Sequence, residues 1–147
     1  KLQAAGHEAF ADWYGAGPEA DDKWKEYEIE RGNTYLQALH SYGAQAVFNF
    51  DKKHLERAEA VVLVAPAGKS GHLELGWALG KGKKGYYLLD NPDRWDVMLQ
   101  FCTKVTDNID EIIKDLACQR STIGIIGTLP QEPYMWDGLP LTVIPSS

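Results

Sequence analysis

The chain has 147 residues, of which 44% are hydrophobic and 24% are charged, and its net charge is −6. This length and composition are ordinary for a single globular domain with its own hydrophobic core. The acidic balance, with no basic block to offset it, argues against nucleic-acid binding, and no apolar run is long enough to span a membrane. The two cysteines, Cys102 and Cys118, form neither a disulfide framework nor a zinc motif, so we expect a reducing, cytoplasmic setting.

The chain begins with a segment, residues 1–6, that has the pattern of the last turn of a helix closed by a glycine. We therefore expect the first strand of the fold to be missing ahead of Lys1. After it, strands alternate with helices. The pattern predicts strands at 7–11, 60–65, 86–89, 103–105 and 122–127, and helices at 21–31, 35–42, 52–58, from the loop after 67 to 79, 93–101 and 108–117.

This alternation indicates an α/β domain whose sheet is mostly parallel. We assign residues 1–118 to that domain and residues 119–147 to a C-terminal arm containing one strand. The arm has three possible places. It folds over the functional site, packs on a neighbouring subunit, or supplies the strand that is absent from the front.

The most informative stretch is a buried strand, Val61–Ala65, that runs through a small-residue loop into a helix. Gly68 and Gly71 allow the backbone of the loop to approach a ligand closely. The N–H groups at the start of the next helix favour an anion there. Glu74 is predicted in the first turn of that helix, where the dipole favours its ionised form and makes it a candidate nucleophile.

Each candidate has a plain structural alternative. Glu74 is also a common structural residue at the third position of a helix capped by Gly71, and Ser70 is a possible N-cap. Asp51 is placed to cap a helix that begins at Lys52. Ligands of parallel sheets bind at the carboxyl ends of the strands, and the loops after residues 50, 66 and 89 would share that edge. Three positions therefore converge on one site, namely Asp51, the segment 68–74 and Asp90.

One sequence pattern is more specific than the others. Phe50-Asp51 and a short helix precede the apolar strand, and Gly68-Lys69-Ser70-Gly71-His72 then leads into Glu74-Leu75-Gly76-Trp77-Ala78. In this pattern, from Leu2 to Leu116, the chain resembles the nucleoside 2-deoxyribosyltransferase-like family. The resemblance implies a three-layer, flavodoxin-like fold with helices on both faces of the sheet. It also implies a homo-oligomer whose neighbouring subunits complete each site.

The resemblance further implies that Glu74 attacks C1′ of a deoxynucleoside and that Asp51 contacts the substrate. Transferases of the family often have an aspartate where this chain has Gly68. Related nucleotide N-hydrolases bind a 5′-phosphate through a serine of this loop, a role open here to Ser70 together with Lys69. Such chemistry needs one ionised carboxylate and one proton donor. Asp51 or Asp90 is the donor if burial or a neighbouring carboxylate raises its pKa.

Two further residues are candidates for contact with the substrate. Trp13 is placed to stack on a base, with plain packing as its alternative. His72 lies within the loop and either contacts the substrate or fixes the loop geometry. We expect a small nucleoside or nucleotide as the partner, with no metal, cofactor, nucleic acid or membrane. Two alternative functions share this architecture, namely an NAD hydrolase of the TIR type and a nucleotide-binding sensor without catalysis.

Overall fold

The fold is a five-stranded sheet with helices on both faces, seen in a computed structural model that describes residues 1–10, 20–90, 95–117 and 122–127. The strands are β1 (Glu8–Phe10), β2 (Ala60–Val64), β3 (Lys84–Leu88), β4 (Lys104–Thr106) and β5 (Thr122–Gly127). The helices are α1 (Ala20–Glu30), α2 (Tyr35–Ala38), α3 (Tyr42–Arg57), α4 (Lys69–Gly80) and α5 (Ile109–Leu116), and a 3₁₀ helix spans Val97–Phe101.

The strand order is β1-β5-β2-β3-β4, and every neighbouring pair is parallel. The flavodoxin-like order is 2-1-3-4-5, so β5 stands where that order has its first strand. Val61 at the centre is aligned with Gly124 of β5 on one side and Gly85 of β3 on the other. The predicted three-layer, flavodoxin-like α/β fold is confirmed, and the strand of the predicted arm lies inside the sheet.

The two faces of the sheet bury alternate residues of β2, as expected for a strand covered on both sides. Val61 and Leu63 pack with Leu75 and Ala78 of α4. Ala60 and Val62 belong to the other face. That second core also includes Leu2, Tyr86, Ile112, Leu116 and Ile123. The amphipathic period of α5 explains its place, because Ile112 and Leu116 fall on one side of the helix and both are buried.

The first six residues form the helical turn that the sequence predicts. Gly6 has a φ of +89°, the left-handed conformation that favours glycine. The His7 N–H donates to the Leu2 carbonyl (3.2 Å), and the Gly6 N–H donates to that of Gln3 (3.0 Å). These two bonds are the Schellman pattern of a helix end, and they hold Leu2 over the core.

The main departure from the predicted elements is α3. A single helix runs from Tyr42 to Arg57, with Ser41 as its N-cap accepting from the Ala44 N–H at 3.3 Å. The prediction that Asp51 begins a helix is therefore wrong, because Ser41 supplies the cap ten residues earlier and the intervening backbone continues as helix. At the other end of α3, the Lys83 ammonium donates to the backbone carbonyls of Glu56 and Ala58.

Two other predicted elements also differ. The helix predicted at 35–42 ends at Ala38, and the one predicted at 93–101 is seen as the short 3₁₀ helix at its end, Val97–Phe101. None of the helices that the structure describes has the length and apolar character needed to cross a membrane.

Candidate active site

An open pocket lies where β1 and β5 meet α3 and α4. Its empty space, counted together with the solvent at its mouth, is about 310 Å³. The strands contribute Phe10, Gly124, Ile125 and Ile126, and the helices contribute Asp51, His54, Leu55 and Glu74. Two carboxyl groups therefore share a small and otherwise largely apolar space.

Glu74 reaches this pocket because α4 lies very close to β5. A Cβ built on Gly71 would come within 2.8 Å of Cγ2 of Ile126, so a larger residue at this position would push the helix away from the strand. Gly71 is buried, which identifies it as a packing glycine. One turn later, Glu74 is half-buried and faces the pocket.

The helix start differs from the predicted one, and this changes the electrostatics of Glu74. Gly68 is the N-cap and α4 begins at Lys69, so neither Gly71 nor Ser70 caps the helix. Glu74 then falls in the second turn, beyond the first-turn N–H groups that stabilise a negative charge. The expectation that the helix dipole favours ionised Glu74 is therefore wrong.

The environment of Glu74 acts in the opposite direction. Burial and, second, the negative charge of Asp51 raise the pKa of Glu74 to about 7. Burial also raises the pKa of Asp51, while the positive charge of His54 opposes that increase. Since Asp51 is an interior residue of α3, its carboxylate does not cap the helix.

Two carboxyl groups that repel each other titrate as a pair. Because the pKa of Glu74 is raised to about 7, Glu74 still holds its proton in part of the molecules at neutral pH, beside the negative charge of Asp51. Pairs of this kind are typical of sites where one carboxyl donates a proton and another attacks or stabilises a cation.

The loop at the start of α4 presents the other predicted residues. Gly68, Lys69 and Ser70 are exposed there. His72 is also exposed, and its Nδ1 lies 2.8 Å from the Gly68 carbonyl oxygen, while its ring centroid is 5.8 Å from that of Tyr87. These contacts favour the role of fixing the loop geometry over direct contact with a ligand in the pocket.

One remaining candidate, Asp90, is not brought to the pair. Asp90 is exposed beyond the end of β3, which β2 separates from β5, and it is not among the pocket residues that the structure describes. Trp13 lies outside the described residues. The structure therefore joins Asp51 to Glu74 and leaves Asp90 apart.

Sequence reasoning missed both aromatic residues that line the pocket, Phe10 and His54. Phe10 is the last residue of β1, and its place at a carboxyl strand end was an available signal. His54 lies one helical turn after Asp51, but this spacing has meaning only once both residues are known to belong to one helix.

No group of three or more His, Cys, Asp or Glu side chains suited to a metal ion occurs within residues 1–10, 20–90, 95–117 and 122–127. Comparison with known proteins finds no matching family model, no matching curated sequence and no matching solved structure. The family resemblance therefore remains a prediction.

Proposed function

We propose that the protein cleaves or exchanges the N-glycosidic bond of a deoxynucleoside, nucleoside or nucleoside 5′-monophosphate, with Glu74 as nucleophile. The observation that carries the proposal is the meeting of Asp51 and Glu74 in one pocket, with the pKa of Glu74 raised to about 7. A buried pair of carboxyl groups that shares a proton is costly for folding and useful for chemistry that needs an acid beside a base.

The proposed reaction has two displacements at the same carbon. In the first, the proton that Glu74 holds near neutral pH passes to Asp51. The Glu74 carboxylate then attacks C1′, the bond from C1′ to the base nitrogen breaks, and the departing base takes that proton from the Asp51 carboxyl. In the second, a new base or water attacks C1′, Glu74 is released, and Asp51 accepts the proton of the attacking group. The sequence is the N-glycoside form of a retaining mechanism.

The reaction is tested by product analysis and by trapping. The full chain is incubated with each of the four deoxynucleosides and their 5′-monophosphates, with and without a second free base, and products are separated by chromatography. We expect free base or an exchanged nucleoside. A 2′-deoxy-2′-fluoro nucleoside, whose fluorine slows release of the sugar, is then used to accumulate the covalent intermediate, which peptide mass spectrometry should locate on Glu74.

The outcomes separate the alternatives. Exchange that requires a second base indicates a transferase, and base release alone indicates a hydrolase. Cleavage of NAD without cleavage of deoxynucleosides would contradict the proposal in favour of an NAD hydrolase. Nucleotide binding without turnover, unchanged in Glu74→Gln, would indicate a sensor. A sugar found on Asp51 would indicate that Asp51 is the nucleophile and Glu74 the proton donor.

The exposed loop at the start of α4 supports a preference for phosphorylated substrates. Lys69 and Ser70 stand at the helix N-terminus, where backbone N–H groups favour an anion. We expect the 5′-monophosphate to have a lower KM than the nucleoside, and Lys69→Gln to reduce that difference. Equal KM values for the two substrates would remove the phosphate-binding role.

We also propose that the protein acts in a reducing, cytoplasmic compartment and forms a homo-oligomer. Large apolar side chains are exposed on the helices before β2, among them Leu36 (73% exposed) and Phe48 (60%). Exposed apolar surface of this kind is common at subunit interfaces. Light scattering coupled to size-exclusion chromatography tests the second proposal, which a monomer across the micromolar range would contradict.

A further inference from the structure

We infer that Phe10 and His54 form an aromatic wall that binds the planar leaving group of the substrate, a nucleobase. The inference rests on the proposed function and adds how the base is held. The pocket has two kinds of lining, namely carboxyl groups from α3 and α4 and aromatic rings from β1 and α3.

The Phe10 ring is fixed by contacts outside the pocket. The Arg57 guanidinium lies over it, with Cζ 4.5 Å from the ring centroid. Arg57 is in turn paired with the Glu8 carboxylate, two residues before Phe10 on β1. A cation over an aromatic ring is favourable, so this chain of contacts restrains the ring before any ligand arrives.

The His54 ring is held in a similar way. Its centroid is 4.4 Å from that of Phe50 and 5.5 Å from that of Phe10, with ring planes inclined by 57° and 54°. Because the imidazole is inclined to Phe10, the two pocket rings do not stack flat on each other. Rings fixed in advance lose little entropy when a flat ligand stacks on them.

The space beside Phe10 is kept open by a glycine. A Cβ at Gly124 would lie 3.8 Å from Cζ of Phe10, so any larger side chain there would crowd the Cζ end of the ring. A sugar needs no aromatic surface, whereas every nucleobase has a π face that stacks on aromatic side chains. The carboxyl pair and the rings therefore suit opposite ends of one N-glycoside.

Binding of free bases tests the wall without requiring turnover. Adenine, cytosine and thymine are titrated into the full chain by ligand-observed NMR, with 2-deoxyribose as the probe that lacks a base. We expect at least one base to bind, Phe10→Leu to weaken its binding by about tenfold or more, and 2-deoxyribose binding to be unchanged. His54→Leu should weaken base binding, and His54→Phe, which retains a flat ring, should restore it.

The matched control is Phe101→Leu, the same substitution at an exposed position of the 3₁₀ helix that does not line the pocket. This variant should bind bases as the wild type does. Absence of base binding by the wild type, or equal binding by the Phe10 and Phe101 variants, would overturn the inference.

The inference and the proposed function fail in different ways. Base binding that depends on Phe10, in a protein that cleaves no nucleoside, would support the aromatic wall and contradict the enzymatic proposal. Turnover in Phe10→Leu with an unchanged KM for the base would support the enzymatic proposal and show that Phe10 does not bind the base.

Discussion

Two glutamates on different helices, Glu28 and Glu74, differ in what surrounds them. Glu28 of α1 is 3% exposed, and its Oε2 accepts a bond of 2.6 Å from Nδ2 of Asn33. That bond and a second one from the Ser41 hydroxyl lower its pKa. Glu74 is less buried than Glu28, yet its pKa is raised to about 7. The causes are its partial burial and the negative charge of Asp51, and no hydrogen bond from the described residues to the carboxylate offsets them.

The difference shows that burial alone does not identify a functional carboxyl group. Glu28 is a structural residue, since its donors stabilise the ionised form and connect α1 to the cap of α3. Glu74 faces a pocket and a like charge, an arrangement that weakens folding and has a function only if a ligand uses it. Substitution of each glutamate should therefore have opposite effects.

The largest expected effect is on turnover. Glu74→Ala should reduce kcat/KM for the best substrate by about 10³-fold or more, because the attacking group is lost. Glu28→Gln should have a kcat/KM within about threefold of wild type per folded molecule, since a glutamate remote from the reaction does not contribute to the activation barrier. Steady-state assays of base release, with the folded fraction checked by circular dichroism, measure both. Similar activity in the two variants would contradict the assigned roles.

The next effect is on stability and has opposite signs at the two sites. Folding raises the pKa of Glu74, so stability is lost as pH rises through about 7, where the folded protein must carry the charge. At pH 8, Glu74→Gln should therefore have a free energy of unfolding about 1–2 kcal/mol higher than wild type, after allowance for solvent screening. Near pH 4 the two proteins should have the same stability. Urea unfolding at both pH values measures this difference.

Glu28→Gln is the matched comparison. In the wild type, folding lowers the pKa of Glu28, so this carboxylate stabilises the folded protein above pH 4.5 and the stabilisation is lost as pH falls below that value. The variant should be less stable than wild type at pH 7, and the difference should shrink in acid. The same direction of change in both variants at pH 8 would show that the two sites do not differ as described.

A smaller effect is expected from the pH dependence of catalysis. The reactive form of the pair holds one proton, which lies on Asp51 while Glu74 is ionised, and loss of the last proton from the pair leaves no acid. We expect kcat/KM to fall above pH of about 7, the value to which the pKa of Glu74 is raised. A rate that stays constant up to pH 9 would show that no group of the pair acts as an acid.

The smallest expected effect comes from Gly124→Ala. The added methyl group would lie in ordinary contact, 3.5 Å from Cβ of Ala58 and 3.8 Å from Cζ of Phe10, so the fold should be retained. It narrows the pocket, and we expect the KM for the nucleoside to rise by about three- to tenfold with little change in melting temperature. An unchanged KM would place the substrate away from β5.

Much of the fold could be predicted because it depends on local patterns. The spacing of Ile109, Ile112, Ile113 and Leu116 predicted α5, the apolar run predicted β2, and Gly6 predicted the first turn. The extent of α3 could not be predicted in this way. Its cap, Ser41, also bonds to Glu28 of another helix, and such a contact has no local signature.

The meeting of Asp51 and Glu74 at one edge of the sheet could be predicted from the sequence, but the raised pKa of Glu74 could not. Glu74 and Asp51 were both identified, yet the expected reason for the charge on Glu74 depended on a helix start three residues too late. The partnership depends on α3 and α4 lying over the same end of β5, which the side chain missing at Gly71 permits. Only the packing of these elements shows that one carboxyl raises the pKa of the other.

We expect Glu74 and Asp51 to titrate as one pair. The most direct measurement is the ¹³C NMR titration of the Glu74 side-chain carboxyl, assigned by its loss in Glu74→Gln, in the wild type and in Asp51→Asn. We predict a pKa of about 7 in the wild type. In Asp51→Asn it should fall but stay above the ordinary 4.5, because burial is the larger cause and Asp51 the smaller. A wild-type pKa near 4.5 that does not respond to Asp51→Asn would contradict the account.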